Sequence, residues 1–405
     1  MMNSVEVLSH FERHEVRSWR QRTLLELDAA FGQGREEWIA AFLMHFESWC
    51  SRLLEKQQKG EKGKIGYISY HLLRTRLQEN EAVYLVEGMD DTWWLDKQPY
   101  QGYYAADWAF SSWMKCKQEL LFAAHSYSGR IRDPQLEKIA RKECEHFHRY
   151  VIELIRLAMP RAAKLDAYQR LQREEVFEVR VGEYMDHSVV VYKEDRRQRE
   201  SEHVREWIRE RHENDYAYEA YEHFDLAGEH AAGLDFRYST FHKCNLKQID
   251  MRWSMMVGTR WEECFLQQAD LSESLVHGAC FGGSNMRGVN LQKIMGGRSR
   301  EASTHWVMPS LDAVSFVHTD LREADLSYAD IPQADFSFAD LRGGILHGAN
   351  LEGAILCNAN LSDAELQGTN LRYADLRGTD LTNANLEGAD LTGAIVECAV
   401  RPSGE

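Results

Sequence analysis

The residues best placed to do chemistry are acids and histidines near position 145. Three ExxH pairs occur in the sequence: Glu143 and His146, Glu145 and His148, and Glu200 and His203. On a bundle helix such a pair binds di-iron together with inward glutamates from two other helices. With 40 Glu and 17 His in 405 residues, however, roughly two pairs arise by chance, and the partner glutamates are not identifiable. We therefore expect neither a metal site nor a cofactor.

Other catalytic patterns do not occur. The sequence contains no glycine-rich phosphate loop, no GxSxG and no HExxH. We therefore expect a protein that is not an enzyme and has no catalytic residues.

Composition and charge indicate a folded, acidic protein. The chain is 44% apolar and 28% charged, with 11 Trp, 17 Tyr and 16 Phe and a net charge of −16, which is enough apolar material for two domains. The longest apolar run, residues 38–44, is too short to cross a bilayer, and the charged N-terminus lacks a signal core. Eight scattered Cys without a CxxC motif favour a reducing cytoplasm.

The elements of the N-terminal half are predicted to be mainly helical. Large apolar residues recur every three to four positions over residues 38–53, and Asp133 followed by Pro134 begins a second helix that stops near Pro160. We assign residues 1–165 to a helical domain and 166–192 to a β-hairpin. Residues 193–233, dominated by alternating charge, are predicted to be an exposed helix and linker.

A dense aromatic stretch lies within this helical domain. Its prominent members are Trp93, Trp94, Tyr103, Tyr104 and Trp108. Such side chains anchor protein interfaces when exposed, and they also form ordinary cores. The interspersed aspartates favour a partly wet surface, so we name these five residues as candidate partner-binding residues and keep the core alternative open.

The last 40% of the chain has a period of five residues. Counting back in fives from Val396 to Phe236 gives 33 positions, of which 31 are apolar, and a column of small residues lies two positions earlier. Neither a helix nor a strand can bury a period of five. A chain that turns a corner every five residues can bury it, because the large and the small residue then point inward on each side of a square coil.

The A(D/N)LXX motif resembles the pentapeptide-repeat family. The resemblance covers residues 234–398, leaves 399–405 as a tail, and implies a right-handed quadrilateral β-helix of about eight coils. The expected fold is therefore α+β, a mainly helical domain with a small β-hairpin followed by this solenoid. Each end of a solenoid needs a cover. Since few residues follow Val396, we expect the far end to be an open edge or a contact surface for self-association.

The repeat is interrupted at residues 295–303, MGGRSREAS. Because the register of five continues on both sides, these residues form either two degenerate sides or a loop, and the two glycines favour a loop. A loop here would present Arg298 and Arg300 to a partner, unless it is simply a tolerated insertion.

Acidic charge is concentrated in the second half of the repeat. Residues 311–400 contain 15 acidic and 4 basic side chains, a net charge of −11, against −7 for residues 1–233 and +2 for 234–310. At the spacing of stacked strands this is about one negative charge per 2 Å of axis, comparable to roughly one per 1.7 Å in duplex DNA.

Some members of the pentapeptide-repeat family, the antibiotic-resistance factors, mimic duplex DNA and occupy bacterial gyrase or topoisomerase IV. By resemblance, the phosphate-like residues here would be Asp320, Asp325, Asp330, Asp335, Asp340, Asp375, Asp380 and Asp390. Asp before the central Leu is also part of the motif itself, and those factors lack a large aromatic domain, which counts against gyrase as the target.

The sequence therefore predicts a non-catalytic bacterial interaction or scaffold protein. Its helical domain would hold one protein partner, and its acidic rod would bind itself or a second partner. We expect no direct nucleic-acid binding and no membrane association. The alternative is a DNA-mimicking modulator of type II topoisomerase.

Overall fold

The computed structural model describes residues 4–197, 199–212, 216–298 and 312–400. These residues form two compact units, of which the first ends at Arg196 and the second begins at Arg197. We call them the N-terminal unit and the repeat unit.

Helices make up much of the N-terminal unit. They are α1 (Ser4–Phe11), α2 (Arg17–Gln58), α3 (Arg74–Gln78), α4 (Asp107–His125), α5 (Asp133–Ala162) and α6 (Asp166–Arg170), with a π-helical turn, Glu12–Val16, between α1 and α2. In α2 the apolar stripe predicted from the sequence faces inward, and Phe42, Phe46 and Leu53 are fully buried. Helix α5 begins with Asp133 and Pro134 and ends two residues after Pro160.

The N-terminal unit also contains a five-stranded sheet that the sequence analysis missed. Its order is β3-β2-β1-β4-β5, with β1 (Ile65–Leu72), β2 (Val83–Met89), β3 (Tyr100–Ala105), β4 (Arg173–Glu183) and β5 (Ser188–Asp195). Strands β1 and β4 are parallel, and the other neighbours are antiparallel. The assignment of residues 1–165 as helical is therefore corrected for 65–105. Strands β1 and β2 are buried on both faces, so they lack the alternation that marks a strand.

The predicted hairpin is present as β4 and β5, paired antiparallel. It extends to Asp195 and belongs to the larger sheet. One face of the sheet joins the main core through Ile68, Tyr70 and Leu72 of β1. We call the other face, which carries Tyr67, Ser69 and His71 of β1, the outer face.

The repeat unit is a parallel coil with a 20-residue interval. Bridges connect Asp335, Ile355, Asp375 and Ile395 in succession, so four five-residue motifs complete one coil. The large central residues and the small residues two positions earlier are buried throughout most of the coil, as the period of five predicted. One side of each of three successive coils forms a short strand. These strands are β6 (Ala220–Glu222), β7 (Thr240–His242) and β8 (Arg260–Glu262).

An aromatic stack fills one side of the coil interior. Neighbouring rings lie 3.9–5.4 Å apart between centroids. The stack consists of Tyr221, Phe241, Trp261, Phe281, Phe316 and Phe336. Each coil therefore packs on its neighbours over the same side, as expected of a repeat that cannot bury its core alone.

The coil begins before residue 234, which corrects the predicted boundary. Tyr216, Tyr221 and Leu226 already occupy the central column and are buried. Helix α7 (Ser201–Glu210) precedes them. The segment 193–233, predicted to be an exposed helix and linker, therefore contains a helix, and its last residues form the first sides of the coil.

Helix α7 covers the first coil. Val204 and Ile208 are buried in the same core cluster as the coil interior, with Trp207 packed against it. Arginines flank this contact. Arg199 Nη2 donates to Ala220 O at 3.1 Å, and Arg205 Nε donates to Asp225 O at 2.8 Å. Among the described residues no earlier coil bonds these carbonyls, so the arginines complete the cap.

The interruption is longer than predicted. Cys280 bridges Ser315 and Met295 bridges Asp330, so the interval there is 35 residues and not 20. Residues 295–298 remain in the ladder, since Arg298 N donates to Pro332 O at 2.9 Å. Fifteen residues are thus inserted. Since fifteen is a multiple of five, the sequence register crosses the insertion unchanged. Arg300 lies outside the described residues.

The far end of the coil is open within residues 216–400. Leu391 and Val396 hold inward positions of the last coil, and each is 37% exposed, unlike the buried central residues of earlier coils.

Candidate interaction surfaces

Exposed aromatic side chains cluster on the outer face of the five-stranded sheet. Tyr103, Leu85 and His71 are directly paired across β3, β2 and β1 and so lie on the same face. Trp94 packs on the His71 ring at 4.8 Å, and Tyr184 meets it edge-on at 6.1 Å. Trp94, Tyr103 and Tyr184 are 42%, 67% and 48% exposed. We call these three residues the aromatic patch.

Hydrogen bonds fix the loop that carries Trp94. The Asp96 carboxylate accepts from the backbone N–H of Asp90 at 2.9 Å and of Gln98 at 2.8 Å, and it also pairs with Lys62. Asp90 Oδ1 in turn accepts from the Thr92 backbone N–H at 2.9 Å. The surface aspartates that suggested a wet interface therefore organise this loop.

Trp93 supports the patch from beneath. Its ring stacks on Tyr67 at 5.3 Å, and the Arg180 guanidinium lies 4.8 Å from its centroid. The backbone of Trp93 is left-handed, with φ of 54°, a conformation that is costly for a bulky residue and often marks a functional loop. This half-buried side chain positions its neighbour Trp94.

Polar groups lie buried below the patch. Ser69 and His71 are fully buried and Glu87, opposite Ser69 across the strands, is 5% exposed. Gln101 Nε2 donates to Glu87 Oε1 at 2.8 Å, and His71 Nε2 lies 3.7 Å from Glu87 Oε2. Burial lowers the pKa of His71 to about 4, so the ring is neutral at pH 7.

Two of the five aromatics named from the sequence belong to the core instead. Tyr104 is buried against His45 at 4.9 Å and Phe42 at 5.7 Å. Trp108 stacks on Trp38 at 4.4 Å. Both belong to the inner side of the unit because β3 alternates its faces and α4 begins immediately after it.

Sequence reasoning missed Tyr184 and His71. Tyr184 and the exposed Met185 form the tip of the β4–β5 hairpin, where polar residues are usual. The exposed apolar pair at this turn is the feature of the sequence that could have identified Tyr184 as a surface residue for binding. Nothing in the sequence marked His71, because its position depends on the unrecognised sheet.

Two residues of the ExxH pairs, Glu143 and His148, make structural contacts. Arg20 pairs with Glu143 through two hydrogen bonds of 2.6 and 2.7 Å, and His148 Nδ1 lies 2.7 Å from the Tyr84 hydroxyl. Within the described ranges, no group of three or more His, Cys, Asp or Glu side chains is arranged to hold a metal ion.

The eight aspartates of the acidic half do not share one face. The bridge columns place them on four sides of the coil. Asp320, Asp340 and Asp380 share one column, Asp335 and Asp375 a second, Asp330 and Asp390 a third, and Asp325 lies on the fourth.

Most of these carboxylates also bond within their own turn. Asp375 accepts from the Arg377 backbone at 3.2 Å and from its guanidinium at 2.6–2.9 Å. These bonds lower the pKa of Asp375 to about 2. Bonds from Thr382 lower the pKa of Asp380 in the same way. The acid at this position therefore stabilises the corner as well as charging the surface.

Stacked columns reduce the repulsion between coils. Asn350 Nδ2 donates to Asp330 Oδ1 at 2.8 Å, and Asn370 Nδ2 donates to Asn350 Oδ1 at 2.9 Å. In another column Arg322 lies between Asp320, at 2.7 Å, and Asp340, at 3.7 Å. All four basic residues of 311–400 lie near such acids, and the net charge of −11 already counts them.

No helix within the described residues combines the length and apolarity needed to span a bilayer.

A family model described as Pentapeptide repeats matches the chain in eight copies, over residues 257–292, 319–358 and 359–397. No curated protein matches the chain.

Solved structures of pentapeptide repeat proteins resemble part of the chain. HetL of the cyanobacterium Nostoc sp. strain PCC 7120, involved in heterocyst differentiation regulation, is 26% identical over 52% of this chain and 99% of its own, with a TM-score of 0.33. Rfr23 of the cyanobacterium Cyanothece 51142 is 31% identical over 30% of this chain and 90% of its own, with a TM-score of 0.16. QnrB1, a plasmid-mediated fluoroquinolone resistance protein, is 19% identical over 44% of this chain and 80% of its own, with a TM-score of 0.28.

Proposed function

The chain belongs to the pentapeptide repeat family, and from this premise we propose that it is a non-catalytic interaction protein that binds a protein partner through the aromatic patch. The observation that carries the proposal is the joint exposure of Trp94, Tyr103 and Tyr184 on one face of a sheet. Aromatic residues bury much area for little loss of rotamer entropy, so they dominate binding hot spots.

The repeat unit supports a scaffold role. Its central side chains, for example Leu341, Leu351 and Leu361, are fully buried, which leaves the outer sides of the coil for contacts. As part of the proposal we give it the right-handed quadrilateral form of the family, with about eight coils. The exposed Leu391 and Val396 make its open end the proposed surface for self-association.

A reducing cytoplasm is the proposed location. Among the side chains that the structure describes, seven cysteines are free thiols and four of these are buried. This is expected for a protein without a disulfide framework.

Substitution of the aromatic patch tests the proposed function. The full chain is immobilised beside a triple variant, Trp94→Ser, Tyr103→Ser and Tyr184→Ser, and bound proteins from a bacterial lysate are quantified. We expect at least one protein retained by the parent to be lost from the variant by more than about tenfold, since each hot-spot aromatic contributes about 2 kcal/mol or more.

Exposed aromatics of the repeat unit provide a matched control. Trp253, Tyr328 and Tyr373 are 57%, 57% and 43% exposed, so their replacement by serine removes similar area elsewhere. Retention of the partner by this control and its loss from the patch variant supports the proposal. Equal retention by all three proteins overturns it.

The alternative function, topoisomerase modulation by DNA mimicry, has one supporting observation. Residues 311–400 retain a net charge of −11 distributed over the sides of the coil. Supercoiling by purified gyrase tests it. This function predicts inhibition, or protection from a quinolone, at micromolar protein, and no effect under either condition eliminates it.

A further inference from the structure

We infer that the aromatic patch covers a recognition site for an ammonium group, and that a lysine side chain of the protein partner occupies it. This inference rests on the proposed function and specifies the chemistry of its surface. The site consists of Ser69, His71 and Glu87 as floor and of Trp94 and Tyr184 as walls.

The floor contains buried polar atoms that lack a partner. Among the residues that the structure describes, neither the Ser69 hydroxyl nor either ring nitrogen of His71 has a hydrogen-bond partner of normal geometry, although all are buried, and the Glu183 backbone lies near enough to favour a proton on the ring. A neutral imidazole has one acceptor nitrogen, and an ionised carboxylate only accepts. His71 Nε2 and Glu87 Oε2, 3.7 Å apart, are too distant to bond each other directly. A bridging donor would satisfy both groups.

No Lys or Arg side chain of the described residues forms an ion pair with the Glu87 carboxylate. The nearby basic side chains are paired with other acids: Arg180 with Glu178 at 2.6 Å, Arg74 with Glu183, and Lys62 with Asp96. Gln101 supplies one neutral hydrogen bond to Glu87. A buried, uncompensated carboxylate is unfavourable, so a cationic ligand gains from this site and an anionic one is repelled.

The walls suit a cation as well. The Trp94 ring lies 4.8 Å from His71 and Tyr184 lies 6.1 Å from it, and both keep about half of their surface exposed. Indole and phenol faces attract ammonium groups. The Arg180 guanidinium already packs on the Trp93 ring, so the Trp94 ring is the one proposed to contact the ligand. Since Trp94 covers His71, its side chain must swing aside for entry.

An ammonium fits better than a guanidinium. Glu87 Oε1 already accepts from Gln101 at 2.8 Å, so only Oε2 is without a hydrogen bond, which favours a single donor over a bidentate guanidinium pair. Glu87 Oε2, the His71 acceptor nitrogen and Ser69 Oγ are three separate acceptors on neighbouring positions of one face. An ammonium has three rotatable donors.

Binding of a lysine mimic to the full chain tests the inference. Nα-acetyl-lysine N-methylamide is titrated while tryptophan fluorescence and calorimetric heat are measured, and the neutral norleucine analogue serves as the matched probe. We expect the lysine probe to bind at least about tenfold more tightly than the norleucine probe, the gain typical of one charge-assisted hydrogen bond. Equal affinity of the two probes, or binding of neither at 10 mM, overturns the inference.

Variants identify the site. Glu87→Gln is expected to weaken the lysine probe about tenfold or more, while Glu175→Gln, which removes an exposed carboxylate of the same sheet, leaves it unchanged. If Glu87→Gln does not fold, Trp94→Leu provides the second measurement, with an expected loss of about threefold from the missing cation–π contact. Unchanged affinity in a folded Glu87→Gln protein, or in Trp94→Leu, contradicts the inference.

Failure of this inference and of the proposed function are distinguishable. Loss of a partner from the triple serine variant together with no lysine preference rejects only the ammonium site. Lysine-probe binding without loss of any partner rejects the protein-binding role of the patch, and with it a protein as the source of the lysine, but keeps the ammonium site.

Discussion

At the scale of single residues, buried histidines link the stability of the N-terminal unit to pH. Burial lowers the pKa of His148 to about 3 and those of His45 and His71 to about 4. In the unfolded chain a histidine titrates near 6.5. Since the folded state holds these rings neutral, their contribution is fully present above about pH 6.5 and is lost as pH falls toward 4.

We therefore expect the free energy of unfolding of the N-terminal unit to fall by about 1–2 kcal/mol per buried histidine between pH 7 and pH 5. Urea unfolding followed by tryptophan fluorescence measures it. His148→Asn keeps an acceptor for the Tyr84 hydroxyl but cannot titrate, so its stability should depend less on pH. An identical pH dependence in this variant would contradict the assignment.

A second prediction at the residue scale concerns the stability that two tryptophans contribute to the repeat unit. Trp261 is buried between Phe241 at 3.9 Å and Phe281 at 5.4 Å, whereas Trp253 is 57% exposed. Trp261→Ala should cost about 3–5 kcal/mol of stability, as large-to-small core substitutions do. Trp253→Ala, the matched control, should cost less than about 1 kcal/mol. Similar thermal unfolding of the two variants would show that the aromatic stack contributes little.

At the scale of elements, helix α7 shows how a narrow stripe can be missed. Its sequence is dominated by charge, and only Val204, Trp207 and Ile208 form an apolar face. The sequence analysis therefore predicted a solvated helix. In the structure this apolar stripe covers the first coil. The end of a solenoid needs such a cover, and three apolar side chains on one helix are enough to provide it.

The cap yields an element-scale prediction. Replacing Val204 and Ile208 together by alanine should destabilise the first coil by about 2–4 kcal/mol, because both side chains are buried. Hydrogen exchange at residues 216–236 should accelerate, while exchange at residues 340–380 stays unchanged because repeats contact only their neighbours. Glu206→Ala, on the exposed side of α7, serves as control. Uniform acceleration along the coil would contradict the cap.

Other elements differ in how far the sequence determines them. The coil was predictable because each five-residue motif repeats the same pattern of burial. Leu341 and Leu361, for example, occupy the same motif position as the other central residues. The insertion of fifteen residues preserved the register of five, and for that reason its length was underestimated from the sequence. Strands β1 and β2 were not predictable, because their burial on both faces removes the period of two on which recognition depends.

At the scale of the whole molecule, the aromatic patch and the concentrated acidic charge lie in different units. The aromatic patch belongs to the N-terminal unit, and the net charge of −11 belongs to residues 311–400. The sequence showed the acidic stretch and named Trp94 and Tyr103 as candidates. It left open which of the five aromatics are core and did not indicate Tyr184, since both depend on the sheet.

The different screening of these surfaces leads to a molecule-scale prediction. Binding through the aromatic patch should change less than about threefold between 50 and 300 mM salt, because apolar burial is not screened and a buried ammonium contact is screened much less than an exposed one. Any contact made by the acidic coil should weaken steeply over this range. Surface plasmon resonance of a captured partner on the full chain measures the slope, and a steep loss for patch-dependent binding would assign the interface to the coil instead.

The most direct test of a partner-binding aromatic patch is hydrogen–deuterium exchange of the full chain with and without its captured partner. The account predicts protection on binding at residues 90–105 and 182–188, the two segments that present Trp94, Tyr103 and Tyr184. Protection confined to residues 216–400, with these segments unchanged, would contradict it.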